Sequence, residues 1–394
     1  ANGSQYFVIF NTQGVVLPKH LLTLIPSFNC PLPELEKIKQ ILEEKLGNSE
    51  FVNERLALAV SGLSQEEIRL GTQLINSGCQ ETIREQLILY KTQQLKNLGL
   101  EFMVAPEIPT FGGLDNVKQA IEQVALDYTQ KARLHKIPLP KGWLLVGPPG
   151  TGKTFAAKVC ATKLGFPLIS VGVDLVKSKG SVYLKQLLLR IESASPAVCY
   201  FDEFDKFFDP DTASTGSGQS KEVLGVLLTW LQEKQTQTFV IATLNRLDAL
   251  PPELTRAGRF DRIFYVGFPQ AIERKEILQL HASRFDSRYR EEDGPLTQRE
   301  WRILLARTQN FTGAELSSVV EKAAKTKFYS EVEQIALDLE ALLQARAQIT
   351  PLFIRDTERI LAMENRARFV SEPASSTDTS IFAPPDVDLW GDKN

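Results

Sequence analysis

Apolar positions along this chain follow two rhythms. Between residues 143 and 266, short runs that are apolar at every position alternate with stretches of helical period. Trp143–Val146, Pro167–Val171, Ala197–Phe201, Phe239–Thr243 and Ile263–Val266 read as strands; Phe155–Leu164, Tyr183–Ser193 and Val223–Gln232 read as helices. Strands without a polar face, separated by helices, predict a parallel sheet covered on both sides. From Pro269 the pattern turns helical throughout, over Ala271–Phe285, Thr297–Thr308, Gly313–Tyr329 and a long stretch from Glu331 to about Arg368. An α/β core over 108–268 and a helical lid over 269–369 are therefore expected. Residues 370–394, rich in Ser, Thr, Pro and Asp, read as a disordered tail, with Phe382 and Trp390 either solvated or part of a docking motif. The Gly/Ser/Thr-rich stretch Asp209–Ser220 is expected to be a mobile loop.

The N-terminal third repeats part of this pattern. Phe7-Val8-Ile9 echoes Phe239-Val240-Ile241, and Leu17–Leu21 echoes Leu250–Leu254. Pro33–Leu42 matches Pro269–Leu278 in spacing, and Gly62–Glu67 sits where Phe311–Glu315 sits. Agreement in the same order points to a repeat. Residues 1–98 are read as a partial, degenerate module of the same kind, its last strand (Tyr6–Phe10) and helical lid present, its Gly-rich loop and acidic strand missing.

Composition narrows the function classes. At 394 residues, 43% hydrophobic and 24% charged, the chain has the make-up of a globular protein of two or three domains. Forty-five basic against 48 acidic residues leave a net charge of −3, so no basic field points to nucleic acid. The four cysteines (30, 79, 160, 199) form no CxxC pair, and the three histidines lack a second ligand type at metal-binding spacing. No signal peptide opens the chain, and no apolar run reaches the roughly 18–20 residues that span a bilayer. A cytoplasmic setting is expected.

Gly147-Pro148-Pro149-Gly150-Thr151-Gly152-Lys153-Thr154 fits GxxxxGK[ST], after an apolar strand and before a helix. Glycines let backbone N–H groups converge on phosphates, and the helix adds its positive end. Lys153 is the point charge for the β- and γ-phosphates, and Thr154 offers a hydroxyl to Mg2+. Forty-nine residues on, the strand Ala197–Phe201 closes on Asp202 and Glu203. Asp202 is placed to hold Mg2+ and Glu203 to polarise the attacking water. Asn245, after the strand Phe239–Thr243, can orient the same water, though Asn is also a common turn residue. Arg256–Arg262 holds three arginines whose nearby acid is Asp261; Arg259 and Arg262 read as fingers acting on a neighbouring subunit's ATP, with a surface basic turn as the alternative.

These residues, with Gly112-Gly113-Leu114 and Phe311-Thr312-Gly313-Ala314-Glu315, resemble the AAA ATPases of the classical AAA clade over about residues 108–330. The degenerate N-terminal module and the stretches SGLSQEEI, GGLDNVK, LLTWLQEK and LPPELTRAGRFDRIF are similar to the hypothetical-reading-frame AAA proteins of cyanobacteria and plastids. The resemblance implies a P-loop α/β core with a helical lid, a homohexameric ring with Mg·ATP between neighbours, and a link to photosynthetic carbon use. It places Gly112 and Gly113 by the adenine, and Gly313 and Ala314 on the nucleotide from the lid. Two stretches depart from the pattern. Val176–Ser181 is short and lacks the pore aromatic with which unfoldases grip a peptide, and Thr110-Phe111 replaces the usual acidic–aliphatic pair. ATP-driven remodelling of a protein client is thus the leading reading. An ATP-gated scaffold is the alternative, and a nucleic-acid motor is the least supported.

Overall fold

The computed structural model describes residues 32–47, 52–75, 80–96, 100–104, 112–208, 217–247, 250, 251, 254, 258–291, 294–330 and 334–383. The strand expected at Tyr6–Phe10, the pair Thr110-Phe111, the loop residues 209–216 and Trp390 lie outside them.

Within these residues one sheet holds β1 (Glu101–Phe102), β2 (Gly142–Val146), β3 (Leu168–Val171), β4 (Ala197–Phe201), β5 (Thr238–Leu244), β6 (Arg262–Tyr265) and β7 (Glu372–Pro373), in the order β1-β3-β4-β5-β2-β6-β7. All neighbours run parallel except β1 against β3. The all-apolar runs are explained by burial on both faces. In β2, Trp143 and Leu145 point into one core cluster, Leu144 and Val146 into the other. Trp143 meets Phe239 and Phe264 edge-on at 5.0 and 5.3 Å, joining β5, β2 and β6.

Among the described residues four helices precede the sheet: α1 (Leu35–Leu46), α2 (Glu54–Val60), α3 (Gln65–Gln73) and α4 (Gln80–Lys96). Their apolar faces share one cluster with α5 (Asp115–Asp127) and α7 (Lys153–Leu164), and the short α6 (Gln130–Leu134) follows α5. The contact is close. Lys91 is fully buried, and its Nζ donates to Ser61 O at 2.7 Å and Pro196 O at 2.9 Å. Burial lowers this ammonium to about 7. The other sheet face carries α8 (Val173–Ser193) and α9 (Ser217–Glu233).

The lid comprises α10 (Ala271–Ala282), α11 (Gln298–Arg307), α12 (Gly313–Tyr329) and α13 (Leu339–Ala347), around Trp301, Phe311 and Leu316. Two of its features recur at the N-terminus. α12 opens on a capping box of Thr312 and Glu315, and α3 opens on one of Ser64 and Glu67. α1 packs on α3 as α10 packs on α12.

Four expectations need correction. α8 begins at Val173 rather than Tyr183, and turns through Gly180 with φ 80° and ψ −172°, which glycine tolerates. α9 starts at Ser217, inside the expected loop. The helical stretch to Arg368 is broken by Pro351, which cannot extend α13. It continues as α14 (Leu352–Arg355) and α15 (Thr357–Val370), and α15 buries Met363 and Ala367 against the sheet rather than in the lid. Finally, residues 371–383 are not a solvated tail. β7 extends the sheet, Ala374 is buried with its N–H on Tyr265 O, and Phe382 packs on the lid with Lys275 above its ring.

Candidate functional site

The turn between β2 and α7 is residues 147–152. A Cβ on Gly147 would lie 2.0 Å from Val266 O, so the chain can leave β2 beside β6 only as glycine. Gly150 and Gly152 hold φ of 79° and 103°. Thr151 Oγ1 donates to Pro148 O at 2.9 Å; Pro149 and Gly150 form an exposed rim. Lys153 is 6% exposed, and its Nζ donates to Gly147 O (2.7 Å) and Pro148 O (2.8 Å). Burial lowers its ammonium to about 8, opposed by Asp202 and Asp205. A buried ammonium bonded to two neutral carbonyls is short of counter-charge, and a polyanion at the N-terminus of α7 would supply it. The loop therefore fits nucleotide phosphates.

Beside it, helix α7 and strands β4 and β5 converge on one carboxylate. The Tyr200 hydroxyl lies 2.9 Å from both Thr154 Oγ1 and Asp202 Oδ1. Thr243 Oγ1 donates to Asp202 Oδ1 at 2.6 Å, and the Glu203 N–H reaches Asp202 Oδ1 and Thr243 Oγ1 at 3.1 Å each. Burial raises Tyr200 well above its ordinary value, so its hydroxyl stays neutral. Thr154 and Asp202 thus sit on one shared hydroxyl as hard oxygen donors, a set suited to Mg2+. Glu203 has φ 50°, uncommon for a non-glycine residue and frequent where side chains are aimed for function. Its carboxylate lies 2.8 Å from Lys206 Nζ. Asn245 follows β5 directly, with its N–H 3.4 Å from Asp205 Oδ1.

The lid reaches the loop: Ala314 N–H donates to Gly150 O at 3.0 Å, and a Cβ on Gly313 would stand 3.6 Å from the same oxygen. Gly112 and Gly113 pack on the first turns of α10, where the Gly113 and Leu114 N–H groups donate to Glu276 and Glu273 at 2.8 Å each. Gly313-Ala314 thus joins the lid to the loop, and Gly112-Gly113 joins the segment ahead of α5 to the lid.

The arginines lie elsewhere. Arg262 is level with Trp143 at the start of β2, and Asp261 Oδ2 accepts the N–H groups of Lys141 and Gly142. That end is about 13 Å of strand away from the loop of the same chain. Arg259 is half-buried in the preceding turn. Arg262 pairs with Glu372 of β7 and lies over the Phe264 ring at 4.5 Å. The expectation that Asp261 is its acid is thereby corrected: the partner comes 110 residues later in sequence.

Sequence reading missed Tyr200, Thr243, Lys206 and Asp174. Tyr200 could have been found from strand alternation, since it shares a face with Asp202 two residues on. Thr243 and Asp174 are brought in only by the sheet order.

A family model for the ATPase family associated with various cellular activities (AAA) matches residues 143–268. The chain is 32% identical over 380 residues to the "Uncharacterized AAA domain-containing protein ycf46" of Guillardia theta, covering 93% of this chain and 73% of that protein. The protein of that name from Gracilaria tenuistipitata var. liui is 31% identical, with 91% and 74% covered. The "Probable inactive ATP-dependent zinc metalloprotease FTSHI 4, chloroplastic" of Arabidopsis thaliana is 33% identical over 64% of this chain and 32% of that one. Among solved structures, the FIGL-1 AAA domain matches with a TM-score of 0.55 at 20% identity, over 71% of this chain and 96% of that one.

Proposed function

This chain belongs to the AAA ATPase family, with plastid ycf46 proteins among its relatives, and from that premise we propose that it hydrolyses Mg·ATP at subunit interfaces of a ring oligomer, a homohexamer, to remodel or regulate a protein partner. The observation carrying this reading is the Thr154–Tyr200–Asp202 cluster beside the buried Lys153. Backbone N–H groups of Gly150–Thr154 and the Lys153 ammonium hold the phosphates, with Pro148 and Pro149 shaping the loop. Thr154 and Asp202 hold Mg2+, which neutralises phosphate charge when bound. Glu203 takes the proton of the attacking water, and Asn245 orients that water. Gly112 and Gly113 flank the adenine, and Gly313 and Ala314 carry the lid onto the nucleotide. Arg259 and Arg262, far from their own loop, act on the neighbour's phosphates. Residues 1–98 are a second, incomplete module of the same kind, a reading supported by the matching capping boxes of α3 and α12.

A scaffold that reads nucleotide state without threading a peptide is favoured by one observation. Val176–Ser181 is helical around Gly180, carries no aromatic, and is anchored by Lys177 Nζ on Lys206 O at 2.7 Å. A role in photosynthetic carbon use rests on the resemblance alone. The decisive experiment is ATP turnover by Glu203→Gln. We expect retained ATP binding with turnover lowered by about 10²-fold or more. Wild-type turnover in that variant would overturn the assignment of the base.

A further inference from the structure

Lys206 stands in the 3-10 turn Phe204–Phe208 after the acidic pair and makes two ion pairs at once. Its Nζ lies 2.8 Å from Glu203 Oε2 and 2.7 Å from Asp174 Oδ2. Asp174 is the second residue of α8, and Lys177, one turn on, donates its Nζ to the Lys206 carbonyl. The ammonium is thus strung between the proposed base and the helix that leads into the Gly180 turn. The turn itself is firmly seated: Phe204 and Phe207 are buried and stack edge-on with Phe201. Lys206 therefore cannot travel with its backbone, and only its side chain is shared.

Two carboxylates contest one ammonium. A carboxylate oxygen engaged by an ammonium is not available to take a proton from water. When α8 brings Asp174 closer, Lys206 is drawn from Glu203; when α8 withdraws, Lys206 is left to Glu203 alone. We propose that Lys206 is a positioning residue that restrains Glu203, and that the placement of α8, through Asp174, sets how free the base is to act. The proposal rests on Glu203 being the base. Asp174 and then Glu203 raise the Lys206 ammonium above its ordinary value, so the ammonium stays charged through the neutral range.

The test is steady-state ATP turnover of the full chain. Lys206→Met should raise kcat about two- to fivefold with the KM for ATP unchanged, the range expected for loss of an exposed ion pair. Asp174→Asn should lower kcat, because the ammonium then belongs to Glu203 alone. The double variant should match Lys206→Met, and Lys206→Arg should restore the wild-type rate. A purely structural role would move both single variants the same way and shift KM or the unfolding midpoint as well. If Lys206→Met is unchanged or slower, or Asp174→Asn is faster, the restraint is refuted. Glu203→Gln separates the two ideas: persistent turnover there removes the base, whereas a dead Glu203→Gln beside an unaltered Lys206→Met removes only the restraint.

Discussion

Lys153 shows how one side chain joins packing to binding. Its lowered value, about 8 against an ordinary 10.5, arises first from burial. Between those two values the unfolded chain binds more protons than the folded one, so this group's contribution to stability rises with pH across that window. Nucleotide phosphates reverse the preference by favouring the ammonium. Binding near pH 8 should therefore take up protons, and affinity should fall as pH rises further. Calorimetry in two buffers of different ionisation enthalpy measures the uptake; none at pH 8 would show that Lys153 does not meet the phosphates. Residues of this kind were legible because their neighbours in sequence are their neighbours in space: the loop and the acidic pair are each contiguous. Thr243 and Asp174 were not, because β3, β4 and β5 lie side by side only once the sheet has formed.

At the level of elements, local rhythm gave the strands to within one or two residues, since burial on both faces leaves no other pattern. It failed where tertiary contact decides. Nothing in the Ser/Thr-rich segment after Val370 announces that its backbone will pair with β6, because β7 is stabilised by main-chain hydrogen bonds and by Glu372 on Arg262. The seam between α1–α4 and the core was equally silent. There Gly62, at φ 88°, comes so close that a Cβ would stand 2.1 Å from Ser195 O. Gly62→Ala should cost about 2–3 kcal/mol, from backbone strain and a clash with main chain that no rotamer relieves. Urea unfolding followed by tryptophan fluorescence reads the loss; an unshifted midpoint would mean that the helical bundle does not dock as described.

For the whole molecule, the separation of the phosphate loop from Arg259 and Arg262 is the main fact. On the proposed reading, fingers a strand's length from their own loop serve the site of a second copy. Arg259→Ala subunits and Glu203→Gln subunits should each be inactive alone. Mixed one to one, about a quarter of interfaces would pair an intact base with an intact finger, and turnover should reappear in that proportion. Failure to recover activity at any ratio would argue against shared sites.

The segment after β7 closes the picture. The lid leaves the core at Pro269–Gln270, and the returning chain meets it at the same place. Ser375 donates to Glu273, the Gln270 amide donates to Ser376 O, and the Ile272 N–H donates to Asp378. Both crossings pin the first turn of α10, so the root of the lid is fastened by the same returning segment that adds β7 to the sheet, while its opposite side touches the loop at Gly150.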